Sequence, residues 1–282
     1  TRIGSNSFSP GTILDPPLTE IGDNTIIGHH ATLYSHAIEG SHFALDKIVL
    51  GNNVTVGAHA IIMSDVIVGD GAIISVMGEA GLGKSRLMSE FRRRAGDFSW
   101  HEGRSLSYES TTAYAAASGI IRSVIGLTQS EPATWEAVEA AVVSSLPARV
   151  AELGPFLASV LGVEVPERHR HRIAYLDPGA RQGRIFDAAA TLIAAAAAAK
   201  PMVIVFEDLH WADTASLAFA SRLAELAESA PILVVLIYRP RRNEPSWEVR
   251  EAIERDHSHL HVTIELAPLP ESQGRTLIER IL

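Results

Sequence analysis

Residues 78–85 have the sequence GEAGLGKS, which places glycine, lysine and serine at the spacing G-x-x-x-x-G-K-S. The glycines of this motif let backbone N–H groups close around phosphate oxygens, and the motif needs a buried strand before it and a helix after it. An apolar run over residues 72–77 precedes the loop, and Leu87, Met88 and Phe91 share one helical face after it. This order predicts a phosphate-binding loop; a glycine-rich turn that binds nothing is the alternative.

The residue types in the loop predict a site for a nucleoside triphosphate with Mg²⁺. The ammonium group of Lys84 suits the β- and γ-phosphate oxygens, and the hydroxyl of Ser85 suits the metal. The helix that begins here adds the positive end of its dipole. The predicted cofactors are ATP and Mg²⁺, and the predicted binding residues are Gly78, Glu79, Ala80, Gly81, Gly83, Lys84 and Ser85.

A second part of this site is predicted where the apolar run of residues 202–206 ends in Glu207 and Asp208. A phosphate-binding loop needs acidic groups at the end of a neighbouring strand, to hold Mg²⁺ and to polarise the attacking water. Glu207 takes the metal-side position when the apolar runs are aligned, although a slip of one residue exchanges the two roles. We predict both as catalytic residues and, with Ser85, as metal ligands; an acidic pair that caps a surface turn is the alternative.

The next apolar run, residues 232–238, ends at Arg239. A cation at this strand end can contact the γ-phosphate, so Arg239 joins Lys84, Glu207 and Asp208 as a predicted catalytic residue. A surface arginine at a strand end is the alternative.

The pattern from residue 75 onwards is that of an α/β domain. Apolar runs of strand length alternate with helical stretches at residues 85–94, 133–145 and 185–199. Continuously hydrophobic strands suit a parallel sheet that is buried on both faces, which predicts a doubly wound sheet. Asp213 stands before a further helical stretch and predicts a helix N-cap.

A repeat of six residues dominates the chain before this domain. From Ile21 an aliphatic residue recurs at every sixth position and a small or β-branched residue follows four positions later, with an interruption at residues 39–49. Such a short period is typical of a parallel β-helix, in which each coil packs on the next. We therefore predict a partial β-helix over residues 1–74 and a P-loop domain over residues 75–282; a β-sandwich with glycine turns is the alternative.

Ile74 fits both patterns, and we expect the repeat to end before it, at residues 68–73. Natural domain boundaries usually fall in polar or Gly/Pro-rich segments, whereas this junction is mostly apolar. The abrupt change predicts a recombined, chimeric chain.

Residues 20–75 resemble the left-handed β-helix of hexapeptide-repeat acyltransferases, and within them the repeat domain that ends some peptide-synthetase-like proteins. The matching stretches are residues 36–39, 46–47 and 50–60. The resemblance implies acyl transfer from a coenzyme A thioester at sites between the subunits of a trimer, and His36 or His42 is the candidate general base. Fewer than about three coils fit into this length, which disfavours a complete acyltransferase.

Residues 76–282 resemble the AAA-like signal-transduction (STAND-type) ATPase modules fused to class III adenylyl cyclases and to large helix-turn-helix regulators. The matching stretches are residues 78–87, 100–104, 112–114, 207–213, 238–240 and 266–269. The resemblance implies a regulatory module that binds ATP and hydrolyses it slowly. The alternatives are the hexapeptide-repeat acyltransferase and a chimera with neither activity intact. β-Helix repeats replace the glycine-arginine-glutamate segment that helps hold adenine in these ATPases, and the chain stops at Leu282, so we expect it to be truncated before the output domain.

Composition excludes several other classes of function. The chain has 282 residues, a formal net charge of -9 and no cysteine. It therefore lacks a general attraction to nucleic acid or anionic lipid, and it cannot form disulfides or thiolate metal sites. No apolar run approaches the length of a membrane span. We expect a nucleotide as partner, no membrane or direct nucleic-acid contact and a cytoplasmic location, with a homotrimer as the oligomer that the β-helix would allow.

Overall fold

The computed structural model describes residues 2–23, 25–39, 42–45, 47–51, 54–56, 61–62, 67–68, 72–96, 98–107, 112–128 and 130–268. Up to residue 68, the described part of the chain forms short strands in small sheets. A five-stranded sheet begins at Ala72.

The short strands are two to four residues long. They are β1 (Arg2–Ile3), β2 (Thr12–Ile13), β3 (Thr19–Ile21), β4 (Ile26–Ile27), β5 (Thr32–Leu33), β6 (His36–Glu39), β7 (His42–Leu45), β8 (Ile48–Leu50), β9 (Thr55–Val56), β10 (Ile61–Ile62) and β11 (Ile67–Val68). They form parallel sheets in the orders β1-β3-β8-β11, β10-β5-β2 and β4-β9, whereas β6 and β7 form an antiparallel hairpin.

The six-residue repeat is visible in these sheets. Its aliphatic residues end successive strands and point into a common core, where their exposed fractions lie between 0% and 5%; they are Ile21, Ile27, Leu33, Leu50 and Val56. The hairpin of β6 and β7 lies where the repeat is interrupted. Strands β1 and β2 extend the same pairing to residues before Ile21, where the sequence pattern was not recognised.

The larger sheet contains only parallel strands, in the order β13-β14-β15-β12-β16. Its elements follow one another along the chain as β12 (Ala72–Met77), α1 (Lys84–Arg94), β13 (Ser99–Arg104), α2 (Ala115–Val124), α3 (Trp135–Ser145), α4 (Val150–Val160), α5 (Glu167–Arg170), α6 (Pro178–Ala199), β14 (Met202–Glu207), α7 (Thr214–Leu226), β15 (Ile232–Tyr238), α8 (Pro245–Asp256) and β16 (His261–Glu265). This is the α/β fold with a parallel sheet that the sequence predicts.

Alternate residues of the central strands face two hydrophobic cores. Ile204 and Leu236 point towards the core that contains residues of α2, α3, α4, α6, α7 and α8. Val205 and Val235 point towards the opposite core, to which α1 contributes Met88. Helices therefore cover both faces of the sheet, which explains why its strands are continuously hydrophobic.

Two helices begin close to where the sequence places them, and α6 begins earlier than residue 185. Asp177 caps this helix, because its Oδ1 accepts a hydrogen bond from the backbone N–H of Ala180 at 3.0 Å, and Pro178 occupies the first turn. The predicted start of α6 at residue 185 was wrong, because the capping residue Asp177 lies before the stretch in which apolar residues recur at helical spacing. Among the described residues, no helix has both the length and the apolarity to cross a bilayer.

Ile74 belongs to the larger sheet, where it lies opposite Val235 of β15 and Val262 of β16. Strand β12 thus runs across the predicted division between residues 74 and 75. A central parallel strand has to run straight, so Ile74 does not begin another unit of the six-residue repeat.

Candidate functional site

The loop of residues 78–85 connects β12 to α1 at the carboxyl edge of the sheet, and two of its glycines adopt backbone angles that favour glycine. Gly81 and Gly83 have φ angles of 82° and 93°, in the left-handed region that other residues rarely adopt. A Cβ atom on Gly78 would lie 3.1 Å from the Cβ atom of Leu266, whose backbone N–H donates to the carbonyl of Met77 at 2.8 Å. The loop is thus held against the chain that follows β16.

Lys84 lies over this loop. Its Nζ atom donates hydrogen bonds to the carbonyl oxygens of Gly78 at 2.5 Å and Glu79 at 2.9 Å. Burial lowers the pKa of Lys84, the charge of Arg239 lowers it further, and the charge of Asp208 opposes the shift. The ammonium group of Lys84 is therefore close enough to Asp208 and Arg239 for the charge of each to change its pKa.

Register explains why these residues meet. Met77 lies opposite Tyr238, Phe206 lies opposite Leu236, and Arg104 lies opposite Glu207. The strands β12, β13, β14 and β15 therefore end at one edge of the sheet. Glu207 is the last residue of β14, and the loop, Asp208 and Arg239 follow their strands at this edge.

The acidic pair occupies the end of β14 and the turn behind it. Glu207 is the last residue of the strand, and Asp208 has a φ angle of 53° at the start of a 3₁₀ turn, Leu209–Trp211. Burial raises the pKa of Glu207 and the charge of Glu102 adds to the shift, whereas the charge of Arg104 opposes it. The charge of Asp208 also raises the pKa of Glu207, and it acts on Lys84 as well. The two carboxylates and Lys84 are therefore close enough to interact.

Arg104, the last residue of β13, was not predicted as a site residue. Its guanidinium nitrogens lie 3.7 Å from a carboxylate oxygen of Glu207 and 3.5 Å from one of Asp208. Its place at the end of the second strand is the sequence feature that could have identified Arg104 as a site residue. This strand ends at the same edge of the sheet as the strand that carries the acidic pair.

His210 was also missed. Its side chain is 8% exposed, and neither ring nitrogen has a hydrogen-bond partner among the described residues. Burial lowers its pKa, and the charges of Asp208, Arg239, Glu244 and Lys84 all act on the ring. A buried imidazole thus belongs to the surroundings of the phosphate-binding loop.

The residues present fit a magnesium nucleotide. Ser85 lies exposed in the first turn of α1, the amide-rich loop can approach phosphate oxygens, and Glu207 and Asp208 offer the hard oxygen ligands that Mg²⁺ prefers. The charge of Arg239, which follows β15, lowers the pKa of Lys84.

Asp213 is a helix cap, as predicted, and it caps two helices. Its carboxylate accepts from the backbone N–H groups of Ala215 and Ser216 at the start of α7, both at 3.0 Å. It also accepts from the N–H groups of Tyr114 at 2.9 Å and Ala115 at 3.1 Å, where α2 begins. Asp213 therefore fixes these two helices to each other.

The other candidate site lies among the short strands. The Nδ1 atom of His36 lies 2.5 Å from Oδ2 of Asp15, and the ring of Tyr34 packs edge-on against the imidazole at 5.8 Å. His42, the second candidate base, lies in β7.

Comparison with known proteins agrees with the larger sheet and its loop. Residues 62–235, more than half of the chain, match the model of the AAA ATPase domain family. The uncharacterized protein R02095 of Rhizobium meliloti (strain 1021) is 25% identical over 181 residues, which cover 62% of this chain and 17% of that protein. A parallel α/β sheet with a nucleotide-binding loop is what such a family requires. The chain belongs to the AAA ATPase domain family.

Proposed function

We propose that this protein is a regulatory module that binds Mg-ATP at residues 78–85 and hydrolyses it slowly. One observation supports the proposal: the strands that precede the glycine loop, carry Glu207 and precede Arg239 are in register and end at one edge of the sheet. The resemblance to STAND-type ATPases favours a regulatory role. The chain covers only 17% of the relative R02095. This small share is consistent with a module of a longer protein.

In this proposal the loop residues Gly78 to Ser85 surround the phosphates with backbone N–H groups, and Lys84 exchanges its two carbonyl contacts for phosphate oxygens. Bound Mg²⁺ would neutralise negative charge on the β- and γ-phosphates. Ser85, Glu207 and Asp208 hold the metal, the acidic pair orients the attacking water, and Arg239 contacts the terminal phosphate.

The experiment is a titration of the purified protein with a fluorescent ATP analogue, with and without Mg²⁺. Lys84→Ala should weaken binding by about tenfold or more, because a charge-assisted hydrogen bond contributes about 1.5–3 kcal/mol. Lys200→Ala, which removes an exposed lysine after α6, is the matched control and should bind like the wild type. Equal binding by Lys84→Ala and wild type would sink the proposal.

A second candidate function is acyl transfer by a left-handed hexapeptide-repeat β-helix, which we propose for residues 1–74 of a chimeric chain. The pair of Asp15 and His36 favours it, because a carboxylate 2.5 Å from Nδ1 orients an imidazole as a general base for an acceptor hydroxyl or amine. Consumption of a coenzyme A thioester should then depend on His36. If His36→Ala and wild type show the same rate, the short-strand region is a scaffold only.

A further inference from the structure

The unsatisfied state of His210 requires a physical explanation. The ring is 8% exposed, packs beside Trp211 with centroids 5.0 Å apart, and has no hydrogen-bond partner at either nitrogen within the described ranges. A buried polar atom without a partner is unfavourable, because it loses its hydrogen bonds to water on folding and gains none in the protein. An arrangement of the neighbours that supplies a partner would therefore be favoured.

His210 interacts with charged groups from two parts of the fold. The charges of Asp208, Arg239 and Lys84, which belong to the proposed phosphate site, act on its ring. The charge of Glu244, the N-cap residue of α8, also acts on the ring. The turn that carries His210 packs against both β15 and α8.

The α8 side contains further polar atoms that are buried and without partners. The Oε2 atom of Glu244 is such an atom, although Oε1 of the same carboxylate lies 3.4 Å from a guanidinium nitrogen of Arg241. Others are Oγ of Ser246 and Nε of Arg250. Native interiors leave few such atoms, so a rearrangement that gave them partners would be favourable.

We infer that His210 is a positioning residue that transmits occupancy of the γ-phosphate site to the start of α8. When Lys84 and Arg239 turn to the terminal phosphate, the imidazole gains Oε2 of Glu244 as the acceptor for its N–H group, and the first turn of α8 tightens against the sheet. The inference rests on the proposed function, because a nucleotide must bind before its γ-phosphate can be sensed. It involves an exchange of hydrogen bonds and no covalent step.

The test is amide hydrogen exchange over residues 245–256 of the full chain without nucleotide, with Mg-ADP, and with a non-hydrolysable Mg-ATP analogue. The analogue, and not ADP, should slow exchange in α8 by about fivefold, as expected for one gained buried hydrogen bond. His210→Phe keeps the ring volume and should abolish this response, while its affinity for the analogue stays within about threefold of the wild type. If His210 only stabilised the fold, the His210→Phe substitution would not selectively remove the response of α8 to the γ-phosphate.

His101→Phe is the matched control. His101 is also 8% exposed and its Nε2 also lacks a partner in the described part of the chain, but it lies in β13, where Nδ1 is 2.9 Å from the Oγ atom of Ser123. This variant should keep the response of α8. If His210→Phe does not fold, Glu244→Gln provides the second test, and it should reduce the response because a neutral amide oxygen is a weaker acceptor.

The outcomes separate the two proposals. If the wild type does not bind the analogue, both the proposed function and this inference fail. If the wild type binds it but α8 shows no response to the γ-phosphate, or if His210→Phe retains that response, only the inference fails. Loss of all nucleotide binding by a folded His210→Phe would also overturn it, because the residue would then hold the nucleotide itself.

Discussion

The Oδ1 atom of Asp213 accepts a hydrogen bond from the backbone N–H of Tyr114 at 2.9 Å, across 99 residues of chain. Tyr114 has a φ angle of 65° and immediately precedes α2. A residue in this conformation needs support from its surroundings, and the buried carboxylate that caps α7 supplies it. One side chain thus joins the helix after β13 to the helix after β14.

Asp213→Ala should destabilise the fold by about 2–4 kcal/mol, because it removes two helix caps that are each worth about 1–2 kcal/mol. Urea denaturation of the variant and the wild type measures the difference. Asp177→Ala is the matched control, since Asp177 caps α6 alone and should cost about 1 kcal/mol. Equal losses in the two variants would show that the bonds to α2 contribute nothing.

Gly103→Ala should destabilise the protein by about 1–3 kcal/mol through overpacking. A Cβ atom at Gly103 would meet the carbonyl oxygen of Ala116 and lie 2.9 Å from the Cγ1 atom of Ile120, so β13 and α2 would have to separate. Thermal unfolding measures the effect. Gly96→Ala is the control, because a Cβ atom there meets no described atom within 4 Å. A neutral Gly103→Ala would mean that α2 can move away from the strand at no cost.

Arg104→Gln should lower the Mg²⁺ concentration needed for nucleotide binding. The guanidinium nitrogens of Arg104 lie 3.7 Å from a carboxylate oxygen of Glu207 and 3.5 Å from one of Asp208. The guanidinium group therefore competes with a metal ion for the negative charge of these carboxylates. An exposed ion pair is worth about 0.2–1 kcal/mol, so the shift should reach at most about fivefold. A Mg²⁺ titration at fixed fluorescent nucleotide measures it.

Arg92→Gln is the matched control for this titration, because Arg92 pairs with Glu102, which acts on Glu207 only as a neighbouring charge. It should leave the Mg²⁺ requirement close to that of the wild type. A higher requirement in Arg104→Gln would instead mean that Arg104 contacts the phosphates.

Stability should decrease as pH falls below 6.5, in part through His101. Burial lowers the pKa of His101 below its ordinary value of 6.5, so the unfolded chain takes up a proton before the folded protein does. The contribution is therefore complete above pH 6.5 and is lost as pH falls towards the lower folded-state pKa. Denaturant unfolding at several pH values measures this loss.

In the same experiment, the stability deficit of His101→Gln relative to the wild type should shrink as the solution becomes acidic, because the variant lacks this proton uptake. His259→Gln replaces an exposed histidine and is the control for the substitution itself. A constant deficit of His101→Gln at all pH values would contradict the assignment.

Local patterns decided much of this fold. The loop of residues 78–85, the strands on either side of Glu207 and Arg239, and the six-residue repeat are all readable from the sequence, because each depends on the spacing of residues that are close in the chain. The start of α6 was missed since its cap lies outside the periodic stretch. Leu269, at the end of one matching segment, lies outside the described residues.

The sequence by itself determined that a phosphate-binding loop stands between a strand and a helix, with acidic residues and an arginine at later strand ends. Only the tertiary structure decided that Arg104 faces the acidic pair, that the turn of His210 contacts β15 and α8, and that Asp213 caps two helices. The physical reason is strand order: residues far apart in the chain meet because β12, β13, β14 and β15 end at one edge of the sheet. Spacing along the chain carries no information about that order.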